Sequence, residues 1–597
     1  MLKRFLMNML SSFVGAWLAM ILVVTAVTIL IFGAIGSMAV GSLEAEQVTK
    51  HSVLKIDLSG VIEEIEQAQQ PDIQSLLAGS LMKPQSLNTI VESIREAARN
   101  KNIVAIYLDC GAVAASPATL NAIRQEIIEF RKSKKPVYAY GDAMSQGSYF
   151  VASAADRVYL NPQGELYMQG LTSSVPYMKD LFDKIGVQFQ VVKVGTFKSA
   201  VEPYIMNTMS EPARAQLDTL QGNMWEYIRK SISESRKGVT PAGIDSMVSA
   251  QNISFADMSV AVKGGLVDTL IYGRTVNERF AAITGKKADE INFVSPSTLV
   301  NQVPWGQAYS AKNQVAVLYA CGEIQDGNDN PGYIDYTTLV PVITRLADDE
   351  KVKGMVLRVN SPGGSAFGSD QIGEALDYFQ SKGKPLAVSM GDYAASGGYW
   401  ISAGADMIFA DPLTITGSIG IFGLIPNFSG TADKLGVSMQ MVSTNPGAVF
   451  PTGFKPMNER QLAVMQAYVN RGYDQFINRV AKGRKMKPEA VRRIAEGRVW
   501  DAMSAQKIGL VDSLGNMKDA IEWVARKADI YSKYEVSLYP KFEPSFWDIV
   551  MQSNSAMAEG VAKITAPKPE ELLMARMREI LRRNRVQALM QQIKISL

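Results

Sequence analysis

The first forty-odd positions are patterned unlike the rest of the chain. From Phe5 to Ser42 no residue is charged, and residues 14–35 (VGAWLAMILVVTAVTILIFGAI) are almost continuously apolar. About 20 apolar residues cross the hydrocarbon core of a bilayer as a helix, so residues 1–45 are predicted to form a short stub and a transmembrane anchor. Lys3 and Arg4 precede the run, and Glu44 and Glu46 follow it. The positive-inside rule then leaves the stub in the cytoplasm and the remaining chain on the other side of that membrane. A cleaved signal peptide is the alternative, with Ala39 and Gly41 available to a signal peptidase. Its apolar core, about 7–15 residues, is shorter than this run, which favours an uncleaved anchor.

Beyond residue 46 short apolar runs alternate with amphipathic ones. Strands are predicted at 53–58, 104–108, 137–140, 315–320, 355–359 and 386–390. Helices are predicted at 87–98, 120–132, 213–235, 338–347, 370–381 and 458–482. Strands alternating with helices of this length imply an α/β fold with parallel sheets and crossover helices.

The alternation is written twice. Lys135-Pro136-Val137-Tyr138-Ala139-Tyr140-Gly141-Asp142 answers Lys384-Pro385-Leu386-Ala387-Val388-Ser389-Met390-Gly391-Asp392. From Gly141 and Gly391 onward the offset is 250 residues: Gly147, Tyr149, Ala155, Asp156, Pro162 and Gly170 meet Gly397, Tyr399, Ala405, Asp406, Pro412 and Gly420. Lys184-Ile185-Gly186-Val187 and Lys434-Leu435-Gly436-Val437 keep that offset. So many coincidences in order mark a tandem duplication, with repeats at 46–300 and 301–540. A tail, 541–597, carries a predicted basic amphipathic helix at 569–593, read as solvated or packed on a partner.

Composition narrows the chemistry. The 597 residues include one histidine, His51, and two cysteines, Cys110 and Cys321. No Ser-His-Asp triad around another histidine, His-rich metal site or four-cysteine zinc site is available to one chain. The cysteines are expected to be buried free thiols and His51 a solvated residue. A net charge of +3 gives no argument for a nucleic-acid partner.

The repeats diverge at two places that bear on chemistry. The second carries Asn360-Ser361-Pro362-Gly363-Gly364-Ser365, where the first has Cys110-Gly111-Ala112-Val113-Ala114-Ala115. Paired glycines after a strand can turn backbone N–H groups toward an oxyanion; an ordinary turn is the plain alternative. The second repeat also has Ser396, where the first has Gln146. A serine before a helix is most often a cap, yet here it accompanies the glycine pair. A nucleophilic serine without histidine needs another base, and a lysine serves when burial keeps it neutral. Lys198, in Gly195-Thr196-Phe197-Lys198-Ser199-Ala200-Val201-Glu202-Pro203, lies among small and apolar residues.

Taken together, Ser361–Gly364, the AASGGY run around Ser396, Thr416-Gly417-Ser418-Ile419-Gly420 and the GTFKSAVEP run around Lys198 resemble the signal peptide peptidase A family of serine proteases, in its long, duplicated, membrane-anchored form. The resemblance implies tandem Clp protease/crotonase-like domains behind the anchor. It implies a Ser/Lys dyad with Ser396 as nucleophile, Lys198 as general base and Ser418 orienting the lysine. Amides at Gly363, Gly364 and Gly397 would hold the oxyanion, and no metal or cofactor would be used. It further implies a homotetramer in the bacterial inner membrane whose extracytoplasmic sites degrade residual signal peptides and unfolded chains. A crotonase-like acyl-CoA enzyme and an inactive peptide-binding membrane scaffold are the two other classes compatible with the frame. The cleavage-site preference and the role of the tail are not encoded in these motifs.

Overall fold

A computed structural model describes residues 47–65, 84–249, 253–302, 312–327, 332–445, 447, 452–540 and 587–590. The predicted anchor lies outside these residues. Among the described residues no helix is long and apolar enough to cross a membrane.

In the first repeat, β1 (Ser52–Glu63), β2 (Ile103–Ala114), β3 (Val137–Met144) and β4 (Arg157–Leu166) lie side by side, all parallel. Helices α1 (Leu87–Arg99) and α2 (Pro117–Arg131) form the crossovers that a parallel pairing requires. Consecutive residues of a strand point to opposite faces, and both faces are covered. Leu54, Ile56, Ile106 and Leu108 feed one apolar cluster, while Val53, Ala105, Tyr107 and Tyr159 feed another. Such strands read as unbroken apolar runs rather than alternating ones. After β4 the chain leaves this sheet and passes through the short helix α3 (Lys179–Ile185) to β5 (Gln188–Val194).

The second repeat reproduces the plan. Strands β6 (Gln314–Cys321), β7 (Val352–Ser361), β9 (Leu386–Ala395) and β10 (Met407–Ala410) are parallel, with the short β8 (Gly363–Ser365) following β7 after Pro362 and helix α5 (Ala366–Ser381) leading from β8 to β9. Strands β11 (Ile415–Gly417), β13 (Val499–Asp501) and β14 (Glu535–Tyr539), with the two-residue strand Ser513–Leu514 beside β10, complete that sheet. Two 25-residue helices, α4 (Glu211–Ser235) and α7 (Glu459–Gly483), occupy equivalent places in the repeats. Each has a polar cap: Ser210 accepts from Ala213 N–H, and Asn458 forms a reciprocal capping box with Gln461.

A third sheet joins the repeats. Strand β5 runs antiparallel to β12 (Ile421–Asn427), from Ile421 opposite Val194 to Asn427 opposite Gln188. Buried polar contacts hold the same junction. Asp392 accepts from Thr119 N–H at 3.0 Å and Thr119 Oγ1 at 2.9 Å, and Asp411 accepts from Asn121 Nδ2 at 2.8 Å. Both donors lie in the first turns of α2. Arg358 adds a bidentate pair to Glu64 at 2.7 and 3.0 Å.

Three expectations are corrected. The tail is not helical through Ile593: Gln587–Leu589 is a strand, β15, paired with β8 and with Phe422 of β12. Two open sheet edges outweigh the local helical periodicity there; residues 569–586 lie outside the described set. Cys321 is half-buried rather than buried, although Cys110 is buried, and both are free thiols. His51 is exposed but not merely solvated, since its Nδ1 lies 2.8 Å from Thr284 O.

Candidate functional site

Lys198 arrives from the first repeat at the end of β5. The loop that carries it lies on Glu496 and Gly497 of the second repeat. Phe197 N–H donates to Glu496 O at 2.9 Å, and Thr196 donates through N–H and Oγ1 to Glu496 Oε2 at 3.0 and 3.1 Å. Gly497 has φ 74°, and a Cβ there would stand 2.7 Å from Lys198 Cβ. Only glycine allows the two loops this approach. Arg498 lies over the Phe197 ring at 5.2 Å from its centroid. From α4, Gln216 Nε2 donates to Phe197 O and Ser199 Oγ, both at 3.3 Å.

Ser396 stands between β9 and the short helix α6 (Gly397–Ser402) with φ 55° and ψ −115°. A non-glycine residue in such a conformation costs about 1–3 kcal/mol and needs surrounding structure to hold it. Its N–H donates to Gly417 O at 2.8 Å, and its carbonyl accepts from Trp400 N–H at 2.9 Å. The side chain makes no cap bond. Instead, Ser396 Oγ lies 2.8 Å from Lys198 Nζ. Serine and lysine therefore meet within one chain. Lys198 Nζ also donates to Ser418 O and Ser418 Oγ, both at 3.1 Å. Ser418 itself has φ 53°, and its N–H donates to Arg498 O at 2.7 Å.

All three side chains are shut off from solvent, Lys198 at 1%, Ser396 at 0% and Ser418 at 1% exposure. Burial disfavours the ammonium and pulls the Lys198 pKa well below its ordinary 10.5. A hydroxyl against an amine kept neutral is an arrangement that can pass a proton from oxygen to nitrogen.

The three glycines expected to hold the oxyanion lie on β8 and at the start of α6. Gly363 (φ 100°) donates its N–H to Ser361 Oγ at 3.2 Å. Gly364 (φ 152°) lies so near Ile324 that a Cβ would stand 2.1 Å from Ile324 O. Gly397 is the first residue of α6, where amides have no acceptor within the helix.

The first repeat's version of this place is filled. Gln146 Oε1 accepts from Gln169 and Gly170 N–H at 2.9 Å each, and its Nε2 donates to Gly170 O at 3.0 Å. Lys455, in the stretch loosely matching Lys198, is exposed. Sequence reasoning overlooked Glu496-Gly497-Arg498 and Gln216, which seat the lysine and Ser418 loops. Gly497 was the one readable signal among them, and a single glycine does not announce which loop it meets.

Two stretches, residues 129–287 and 378–531, match the model of peptidase family S49. The chain belongs to peptidase family S49. As a member it is a serine peptidase. Protease 4 of Haemophilus influenzae is 34% identical over 504 residues, covering 83% of this chain and 82% of the relative. Protease 4 of Salmonella typhi is 35% identical over 538 residues, covering 86% and 84%. The chloroplastic serine protease SPPA of Arabidopsis thaliana is 25% identical over 510 residues, covering 84% and 72%. A solved ClpP1 mutant from Listeria monocytogenes, 13% identical, covers 35% of this chain and 95% of its own with a TM-score of 0.24. The first S49 stretch takes in Lys198 and the second Ser396 and Ser418; Gly363 and Gly364 precede the second.

Proposed function

We propose that Ser396 and Lys198 form the Ser/Lys dyad of a membrane-anchored endopeptidase, which degrades residual signal peptides and other unstructured polypeptides outside the cytoplasm. The observation that carries this reading is Lys198 Nζ at 2.8 Å from Ser396 Oγ with both side chains buried. A neutral amine keeps two N–H donors and one lone pair. The donors serve Ser418 O and Oγ, and the lone pair faces the Ser396 hydroxyl.

Lys198 takes the hydroxyl proton as Ser396 Oγ attacks a peptide carbonyl. The oxyanion rests on amides of Gly363 or Gly364 and of Gly397. The ammonium then protonates the leaving amine, and the peptide C–N bond breaks. Water, deprotonated by the same lysine, hydrolyses the acyl-serine and restores the hydroxyl. No cofactor or metal enters these steps. Four chains close around an inner chamber, which admits extended peptides and excludes folded proteins.

The test uses the full chain in detergent with an unstructured fluorogenic peptide. Ser396→Ala is expected to lower kcat by about 10⁴ or more, and Lys198→Ala by about 10²–10⁴, with oligomer size unchanged. Wild-type turnover by Ser396→Ala would overturn the assignment.

A further inference from the structure

Strand β7 leads to the glycine pair and β9 leads to Ser396. Their ladder is regular from Met355 opposite Leu386 to Val359 opposite Met390, and the next rung is Ser361 opposite Ala394. One residue of β7, Asn360, therefore faces three of β9: Gly391, Asp392 and Tyr393. A bulge of this kind bends its strand, leaves ladder groups unpaired and re-aims the side chains beyond it. Past the last rung the two strands part. Gly363 follows two residues after Ser361, and Ser396 two residues after Ala394.

Side chains take the place of the missing rungs. Arg358 Nη1 donates to Ser389 Oγ and Met390 O, both at 2.9 Å, where the bulge begins. Asn360 Oδ1 accepts from Tyr393 N–H at 3.1 Å, and Asn360 Nδ2 donates to Asp392 Oδ2 at 3.1 Å. Asp392 Oδ1 in turn accepts from Thr119 of the first repeat, from N–H at 3.0 Å and Oγ1 at 2.9 Å. These bonds run from α2 through Asp392 and Asn360 into the backbone of β9, three residues before Ser396.

The first repeat uses the same aspartate differently. Asp142, 250 residues earlier, is exposed and accepts from Tyr140 OH and Asn161 Nδ2 of its own repeat. Burying a carboxylate is costly unless hydrogen bonds compensate, and burial raises the Asp392 pKa. The carboxylate is buried in the repeat that has the serine and exposed in the one that lacks it.

We infer that Asp392 and Asn360 are positioning residues, which lock the bulge and so set the distance from the Gly363 and Gly364 amides to Ser396 Oγ. The inference rests on the proposed site. Both residues act through the backbone of β9 and not on substrate. Through Thr119 the docking of the first repeat enters the same distance, so that repeat supplies a strap for the serine as well as the lysine.

The experiment exchanges the acid and the amide. In Asp392→Asn two amide NH2 groups meet, and turning Asn360 over sets its NH2 against Tyr393 N–H instead. Adding Asn360→Asp gives every donor an acceptor again, because the carboxylate then takes both Tyr393 N–H and the neighbouring amide. A misplacement of about 1 Å costs about 10² in rate. In the full chain with the fluorogenic peptide, Asp392→Asn should lower kcat about 10²-fold while KM stays within about twofold. The exchanged pair should recover kcat to within about tenfold of wild type. A purely structural role would lower Tm without separating kcat from KM, so Tm and oligomer size are measured alongside. Thr119→Ser keeps the hydroxyl and should match wild type, whereas Thr119→Val should lower kcat severalfold. Wild-type kcat in Asp392→Asn, or an exchanged pair no better than Asp392→Asn, would overturn the inference. Should Asp392→Asn not fold, equal kcat in the two Thr119 variants would overturn it. Wild-type turnover by Ser396→Ala would remove the proposed site and this inference with it. An inactive Ser396→Ala beside a fully active Asp392→Asn would remove this inference alone.

Discussion

Taking the Lys198 ammonium out of water removes its hydration without supplying an opposite charge, and burial is the cause of its lowered pKa. Two consequences follow from the sign. A base must be unprotonated to act, so activity should climb with pH through the lowered pKa and level off well below 10.5. The measurement is kcat/KM against pH, which reports the free enzyme; a limb that starts only near 10.5 would contradict a neutral lysine. Stability runs with the same hand. Between the folded pKa and 10.5 the unfolded chain binds the proton that the folded chain has given up, so stability falls as pH is lowered through that window. Lys198→Met keeps the length and removes the buried amine. It should abolish activity while raising Tm at neutral pH, by about 2–4 °C for each kcal/mol recovered in a domain of some 200 residues. Calorimetry of the two proteins at pH 7 and pH 10 checks it: the difference should shrink at the higher pH.

Elements explain why those side chains meet at all. The lysine loop, the Ser418 turn and the Glu496–Arg498 turn are stacked by backbone bonds, from Phe197 N–H to Glu496 O, Ser418 N–H to Arg498 O and Gly497 N–H to Ile419 O. Gly497→Ala would push a methyl against Lys198 Cβ in a backbone region that disfavours side chains. It should lower kcat while barely changing KM, and a variant with wild-type kcat would show that the loops move apart freely. Strands and crossover helices were legible in the sequence because each buried strand is an apolar run and each helix an amphipathic one; the predicted helix at 87–98 is α1, Leu87–Arg99. The divergent Ser396 and Gly363-Gly364 stood out against the first repeat, since duplication supplies an internal comparison. Glu496 did not stand out, because its partner Thr196 lies 300 residues away, and Gln216 did not because one polar residue within a long helix leaves no periodicity. The tail was misread for the same reason: β15 is made by two edges that only the folded repeats create.

At the scale of the whole molecule the duplication is incomplete within one chain. Strands β5 and β12 join the first repeat to the second. The 250-residue offset carries β12 onto residues 171–177 and β5 onto residues 438–444. The sequences agree: Pro426 matches Pro176, Gln190 matches Gln440, and Val192 matches Val442. Yet neither of these stretches forms a strand among the described residues. Met439 is 50% exposed and Val442 fully so, whereas Val192 is buried in the joined pair. A second copy offers what is missing. Its residues 171–177 can meet residues 438–444 of the first copy in the register that β12 and β5 already use, Leu171 opposite Thr444 and Tyr177 opposite Ser438. Such a contact is heterologous, with different surfaces on the two copies, and it closes into a ring when the rotation between repeats recurs between chains. The proposed tetramer would then be a ring of eight similar units joined by two versions of one junction. Val442→Arg should break the version between chains, leaving β5 and β12 paired and the site within each chain intact. Light scattering in detergent is expected to show single chains in place of four, while a fluorophosphonate still labels Ser396 at close to the wild-type rate. An unchanged mass would place the contact elsewhere, and lost labelling with lost assembly would mean that the neighbouring copy helps to build the site.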